Sequence, residues 1–271
     1  IIENTGGKVF TAGPTIRTLI SDVDRLYTEK GVWSGANYVL EGLSRDDPEQ
    51  FNKAKDYLIE TLDRGANGRH YCHLALKLTG LGHMDMFKIY NKAQRILMTD
   101  LFSGYATPHP DGRMVLTKEG VKQFMRDNEY EFTEADIQEF FEIAKFENSN
   151  YNSDEIGEIE FYENVHAHYV NSDNHNTAII KKICNSVGLK SNTRQAIQRF
   201  QNRIVEIVEK AQNYDTKLFV DAEQTFIQLA LDAFTLHLQS IYHKDIVAFI
   251  LNGYQSYLKS SPVHVQLEVE R

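Results

Sequence analysis

The sequence has no long apolar run, little cysteine and no excess of positive charge. No stretch of about 18 apolar residues is present, so no transmembrane helix is predicted. The formal net charge is -9 and the pI about 5.6, which excludes broad nucleic-acid binding because such binding needs a positive surface. The two cysteines, Cys72 and Cys184, have no motif partner. Free thiols in a reducing compartment are therefore expected.

Phosphate-binding loops and nucleophilic triads are missing as well. The segment ENTGGK at 3–8 lacks the spacing of a P-loop, and no Ser/His/Asp or Cys/His arrangement can be assembled. No signal peptide is recognised, and the chain begins at Ile1 rather than Met. We therefore expect a chain that has been processed, trimmed or taken from a longer one.

What the sequence does contain is an alternation of strands and helices at both ends. Four near-continuous apolar runs predict strands, and amphipathic helices follow them. This alternation predicts an α/β fold with a parallel sheet. A closed (βα)8 barrel needs eight strands, so either the sheet is open or half of a barrel lies elsewhere. The predicted strands are 32–39, 72–79, 217–223 and 246–252, with helices at 84–98 and 224–241 beside them.

Charged residues occupy the carboxyl ends of these strands, where ligands gather in parallel α/β sheets. Lys77 follows the second strand, and Asp221 and Glu223 follow the third. Side chains alternate along a strand, so Asp221 and Glu223 share one face. One interpretation is a cation and two carboxylates that meet at a site. The other is a structural ion pair, or charges that simply reach solvent.

Three segments in this order resemble the proline dehydrogenase family: LALKLTGLG, LFVDAEQTF and FILNGYQSYLK. GANYVLEGL is similar to the first barrel strand of that family, with Asn37 where an Asp is usual. The resemblance implies a (βα)8-type barrel, partial or completed by another chain, that binds FAD at the carboxyl ends of its strands. The order matches the mitochondrial form, which carries an α-helical insertion before the VDAEQT strand.

The resemblance also implies roles for three residues. Lys77 corresponds to the lysine beside the flavin and the substrate carboxylate, and Asp221 to the aspartate that organises the active site. Gln255 corresponds to the glutamine that contacts the flavin ring. The implied reaction is oxidation of L-proline to pyrroline-5-carboxylate, with electrons passed to a quinone. The implied location is the matrix side of the mitochondrial inner membrane, with peripheral membrane association. Proline and hydroxyproline are not distinguished as substrates.

The sequence departs from the family at its end. The later strands of the family carry the basic residues that bind phosphate and an arginine pair that binds the proline carboxylate. These strands would follow Arg271. A second chain could supply them, the sequence could be a fragment, or the protein could be a non-catalytic relative that serves as a structural subunit of a mitochondrial complex.

The composition of the middle of the chain differs from that of the two ends, so the sequence predicts three regions. Residues 1–99 and 191–271 carry the βα units, and 100–190 form a helical EF-hand-like insertion. Segment 152–163 resembles a calcium loop with Gly157 sixth and Ile159 eighth. The candidate calcium ligands in and beside this loop are three carboxylates: Asp154, Glu160 and Glu163.

Two interpretations of this insertion remain. Ile156 at the fifth loop position has no side-chain oxygen for a metal, which favours an EF-hand-shaped pair that packs without one. The alternative is a calcium-sensing interaction module. His166, His168 and His175 suggest zinc, but solvated surface histidines are the preferred interpretation, so no metal site is predicted.

Overall fold

The computed structural model describes most of the chain, which forms two compact units. The first unit comprises 1–87, 192–224 and 238–254, and the second 88–191, 225–237 and 255–271. The predicted strand 32–39, with Asn37, lies outside the described residues. The described residues are 8–12, 48–67, 72–167, 177–243, 248–259 and 261–270.

A parallel sheet forms the centre of the first unit. Its described strands are adjacent in chain order, β1-β2-β6-β7, and every neighbouring pair is parallel. Leu76 lies opposite Val220, which in turn lies opposite Asn252. The carboxyl ends of β2, β6 and β7 therefore meet at one edge. The strands are β1 Lys8–Ala12, β2 Cys72–Leu76, β6 Lys217–Val220 and β7 Ile250–Asn252.

Two long helices supply much of the core of the first unit. Helix α1 spans Pro48–Asn67 and α7 spans Ser191–Asn213. Their apolar residues recur every three or four positions and are buried, as the sequence predicts. The guanidinium of Arg203 on α7 donates to the carbonyl oxygen of Leu81 at 3.0 Å and to the side chain of Asn52 at 2.7 Å. A buried cation is tolerated there because its donors are engaged.

The two faces of the sheet differ in exposure. Leu74, Leu76, Leu218 and Val220 point to one face and are at most 2% exposed. Phe219 points to the other face and is 41% exposed. The second face is the one that Asp221 would share by alternation.

The second unit is helical apart from a small antiparallel sheet. Helix α2 (Met84–Arg95) continues as a π-helix over Ile96–Ser103, and α5 (Glu158–Phe161) continues as one over Tyr162–Ala167. Helices α2 and α8 contribute residues to both units. The helices are α2 Met84–Arg95, α3 Lys118–Asp127, α4 Glu134–Ala144, α5 Glu158–Phe161, α6 Ala178–Ser186, α8 Gln228–Tyr242 and α9 Ser261–Glu270; the strands are β3 Thr107–Pro108, β4 Met114–Thr117 and β5 Glu155–Gly157.

Local signals explain the helices of the insertion. Thr117 caps α3 by accepting a hydrogen bond from the amide of Gly120 at 3.0 Å. Thr133 and Asp136 form the capping box that opens α4. Strands β4 and β5, each followed by a helix, pair with Leu116 opposite Ile156. The insertion thus contains two helix–strand–helix segments joined through their strands.

Three of the four predicted strands are confirmed, but each is shorter than predicted. Strand β2 ends at Leu76 because Leu78–Gly80 turn into a 3-10 helix. Strand β6 ends at Val220, and α8 begins at Gln228 rather than at 224. Strand β1 was not predicted. Within the described part of the chain, no helix combines the length and apolar character needed to cross a membrane.

Candidate active site

Lys77 and Asp221 come together at the carboxyl ends of β2 and β6. The pairing of Leu76 with Val220 places the next residues, Lys77 and Asp221, opposite each other. The amide of Asp221 donates to the carbonyl oxygen of Leu76 at 3.1 Å, so the ladder continues one step past the strand. Lys77 keeps an extended backbone, with φ -91° and ψ 107°. The predicted cation and carboxylate therefore share one edge of the sheet.

Burial and charge act against each other at this edge. Burial raises the pKa of Asp221 above its usual value, and the Lys77 ammonium partly offsets this rise. Burial also raises the pKa of Glu223, while hydrogen bonds from Thr79 and the charge of Lys77 lower it. One ammonium thus lies close enough to influence two carboxyl groups. Perturbed carboxyls of this kind are characteristic of functional sites.

A second contact follows one step along the same edge. The hydroxyl of Thr79 donates to one carboxylate oxygen of Glu223 at 2.5 Å, and the amide of Thr79 donates to the other at 3.3 Å. The sequence predicts Glu223 as a charged strand-end residue, but it does not predict the bond to Thr79. The sequence LTG after Lys77 gives no signal for this contact. The contact depends on the register between two strands that are far apart in the chain.

Gly253 brings the third strand end close to the site. A Cβ atom at this position would lie 2.8 Å from the carbonyl oxygen of Val220 and 3.0 Å from the amide nitrogen of Ala222. Such distances to backbone atoms are too short for any side chain. Only glycine therefore lets the end of β7 approach β6 this closely.

Gln255 lies in the second unit, so its position relative to Lys77 and Asp221 is not described. Its backbone carbonyl accepts the hydroxyl of Ser261 at 2.6 Å and the amide of Leu258 at 2.9 Å. The predicted contact between Gln255 and a flavin ring stays a prediction.

The candidate calcium loop has a different register from the predicted one. Strand β5 occupies Glu155–Gly157 and α5 begins at Glu158, so Ile159 lies in a helix and Gly157 in a strand. The predicted register, with Gly157 at the sixth and Ile159 at the eighth loop position, therefore does not match the structure. The helix starts early because the carboxylate of Glu160 accepts the amide of Gly157 at 2.8 Å.

The candidate calcium ligands contact protein groups. Asp154 pairs with the Lys118 ammonium at 2.8 Å, which holds the pKa of Asp154 below its usual value. The other oxygen of Glu160 accepts the amide of Phe146 at 3.4 Å. Among the described residues, no three His, Cys, Asp or Glu side chains are grouped so that they could hold a metal ion. The side chain of His166 lies outside that part of the chain, as do His168 and His175 entirely.

A family model described as proline dehydrogenase matches residues 123–271, more than half of the chain. The chain belongs to the proline dehydrogenase family. The match includes Asp221 and Gln255, whereas Lys77 precedes it. No solved structure shows a significant match to the chain.

Curated members of the family resemble the chain either at low identity over nearly its whole length or at higher identity over about a quarter of it. Proline dehydrogenase 1, mitochondrial, of Caenorhabditis elegans is 23% identical over 98% of this chain and 44% of its own length. The proteins of the same name from Drosophila melanogaster and Homo sapiens are each 38% identical, over 26% and 27% of the chain and 10% and 12% of their own lengths. The chain therefore spans less than half the length of these curated relatives.

Proposed function

We propose that this chain contributes to the FAD-dependent oxidation of L-proline to pyrroline-5-carboxylate, with electrons passed on to a quinone. The observation that carries the proposal is the position of Lys77 and Asp221 opposite each other, directly after the paired residues Leu76 and Val220 at the carboxyl ends of neighbouring parallel strands. Membership of the proline dehydrogenase family supports proline as the substrate. This edge is also where α/β barrels bind their ligands.

Each of the two charged residues has a role that its surroundings favour. Lys77 binds the carboxylate of proline, because a fixed ammonium in a partly buried site is a strong partner for an anion. Asp221 orients the Lys77 ammonium, and its half-buried carboxylate faces the positive nitrogen of the substrate. In the proposed reaction, proline would give a hydride from the carbon beside its nitrogen to FAD and one proton from that nitrogen to solvent, which leaves protonated pyrroline-5-carboxylate.

The residues present are compatible with a flavin. Phe219 lies on the face that Asp221 shares and is 41% exposed, so it offers an aromatic surface on the face of the charged strand-end residues. Bound FAD would accept the hydride, while the protein supplies orientation and charge. The proposed contact of Gln255 with the flavin ring suits an amide, which both donates and accepts hydrogen bonds.

The proposed catalytic unit is larger than the described sheet. The described strands follow one another in chain order, which is the order of a singly wound barrel. We propose a (βα)8-type barrel whose remaining strands come from a second chain or from further residues of the same protein. The names of the curated relatives support a mitochondrial location, and we propose peripheral association with the matrix side of the inner membrane.

Absorbance and turnover test the proposed function. A working enzyme should carry flavin absorbance near roughly 450 nm, as cofactor chemistry requires, and should reduce an electron-accepting dye when proline is added. Lys77→Ala should lower proline-dependent turnover by about 100-fold or more, the order expected for loss of an electrostatic contact in an active site.

Lys217→Ala is the matched control. Lys217 shares a face with Phe219 and Asp221 but lies at the amino end of β6, where barrel residues support stability rather than catalysis. Its turnover should equal that of the wild type. A colourless, folded wild-type protein without turnover, alone or with its partner chain, would instead favour a structural subunit that keeps the family fold. Equal turnover of Lys77→Ala and wild type would remove Lys77 from the mechanism.

A further inference from the structure

The contact between Glu223 and Thr79 closes the turn that begins at Lys77. The amide of Gly80 donates to the carbonyl oxygen of Lys77 at 3.2 Å, which forms the first bond of that turn. Thr79 lies inside the turn, and both its hydroxyl and its amide donate to the Glu223 carboxylate. The turn is therefore closed by its own backbone and joined by a side-chain contact to the segment that follows β6.

The position of Lys77 is thereby fixed from both sides. On the strand side, the bond from the Asp221 amide to the Leu76 carbonyl holds the residue before Lys77. On the turn side, Glu223 holds the residue two places after it. A lysine side chain has four flexible torsions, so its ammonium is placed accurately only if its backbone is fixed.

The hydrogen bonds of Glu223 fit this task. Burial raises its pKa, and the two bonds from Thr79 together with the charge of Lys77 oppose that rise. A carboxylate that accepts two hydrogen bonds from one residue acts as a rigid clamp, since its charged form is the one those donors stabilise.

We propose that Glu223 is a positioning residue, which fixes the backbone of Lys77 through Thr79 and so sets the affinity of the site for the substrate carboxylate. This inference rests on the proposed function for its substrate, but the clamp itself does not. Glu223 acts through Thr79 and Lys77, because its two oxygens are directed to the turn.

The first measurement follows the clamp in the full chain without any ligand. Hydrogen exchange at the Thr79 amide should be at least about tenfold faster in Glu223→Ala than in the wild type, because the amide loses its acceptor. Asp221→Ala is the matched control, since it removes a neighbouring carboxylate that Thr79 does not contact. Unchanged protection of Thr79 in Glu223→Ala would overturn the inference.

The second measurement follows the consequence for binding. Cyclopentanecarboxylate has the ring and the carboxylate of proline but no amine, and it cannot be oxidised by the same route. Calorimetry should find that Thr79→Val weakens its binding about tenfold, the order expected when one hydrogen bond to a charged group is lost. Thr79→Ser keeps the hydroxyl and should bind like the wild type.

A purely structural role would give a different pattern. It would weaken binding of the neutral cyclopentanecarboxamide as much as that of the carboxylate, whereas loss of Lys77 placement affects only the anion. Equal affinities of Thr79→Val and wild type for the carboxylate would overturn the inference. A wild-type protein whose Thr79 amide is protected from hydrogen exchange by Glu223, but which has neither flavin nor proline turnover, would refute the proposed function. The contact between Glu223 and Thr79 would remain supported.

Discussion

Lysine ammonium groups occupy the paired loops of the insertion, and replacing one of them tests whether the loops need a metal. Lys145 follows α4, and its ammonium donates to the carbonyl oxygen of Tyr151 at 3.0 Å and also to that of Asn152. Backbone carbonyls and carboxylates are the ligands that calcium prefers. Lys145 and Lys118 thus supply the positive charge that a bound cation would otherwise bring. We predict that Lys145→Met destabilises the protein and that calcium has no effect on the wild type.

The magnitude follows from the two hydrogen bonds. A hydrogen bond from a charged donor contributes about 1.5–3 kcal/mol when it is shielded from water, and an exposed ionic contact less than about 1 kcal/mol. The bond of Lys145 to Tyr151 is partly buried and the bond to Asn152 is exposed. We therefore expect Lys145→Met to lower the free energy of unfolding by about 2 kcal/mol.

Urea unfolding of the full chain, followed by circular dichroism, measures this change with calcium or with a chelator present. Lys122→Met is the control, because Lys122 pairs at 2.8 Å with Glu134, whose side chain is 78% exposed. Loss of that surface pair should cost less than about 1 kcal/mol. Equal destabilisation by the two variants would refute the role of Lys145. A wild-type chain that gains stability with calcium would refute the argument for both lysines.

Two further predictions concern the strand ends. Gly253→Ala should destabilise the protein by about 2 kcal/mol in urea unfolding, because the new Cβ overpacks against the Val220 carbonyl oxygen; Gly104→Ala, whose nearest such atom is 3.7 Å away, should not destabilise it. Because burial raises the pKa of Glu223 above 4.5, the folded chain holds this proton more tightly than the unfolded chain. The wild type should therefore lose stability relative to Glu223→Gln as pH rises from about 4.5 through the raised pKa of Glu223, and a pH-independent difference between them would contradict this.

The strands could be predicted where apolar residues run together, and their ends could not. Leu74, Leu76, Leu218 and Val220 are buried as such runs require. The prediction of the strand ends was wrong because polar residues such as Lys77 and Thr79 continue the alternating pattern of a strand. The backbone has already turned at Leu78–Gly80. Strand β1 was missed because KVFTA is short and has no long apolar run.

The strand-end positions of the candidate site could be predicted from the sequence, whereas the contacts between its segments could not. Alternation along single strands identified Lys77 and Asp221 as strand-end residues that face a common edge. The partner of Glu223 could not be predicted, since Thr79 lies in a turn after β2 and its contact depends on how this turn packs beside the end of β6. Gly253 is visible in the sequence, but the close approach that requires a glycine depends on the packing of β7 against β6.

The exposure of Phe219 connects the sheet to the size of the functional unit. Parallel sheets are covered on both faces, because their strands are apolar on both. Here Leu218 is fully buried on one face, while Phe219 is 41% exposed on the other, the face it shares with Asp221. In a closed barrel this second face would point inward, where large side chains fill the interior. The exposed phenylalanine is therefore a physical reason for the proposed barrel closure, and such closure would shield Lys77 and Asp221 from water, because charges that are shielded from water interact more strongly.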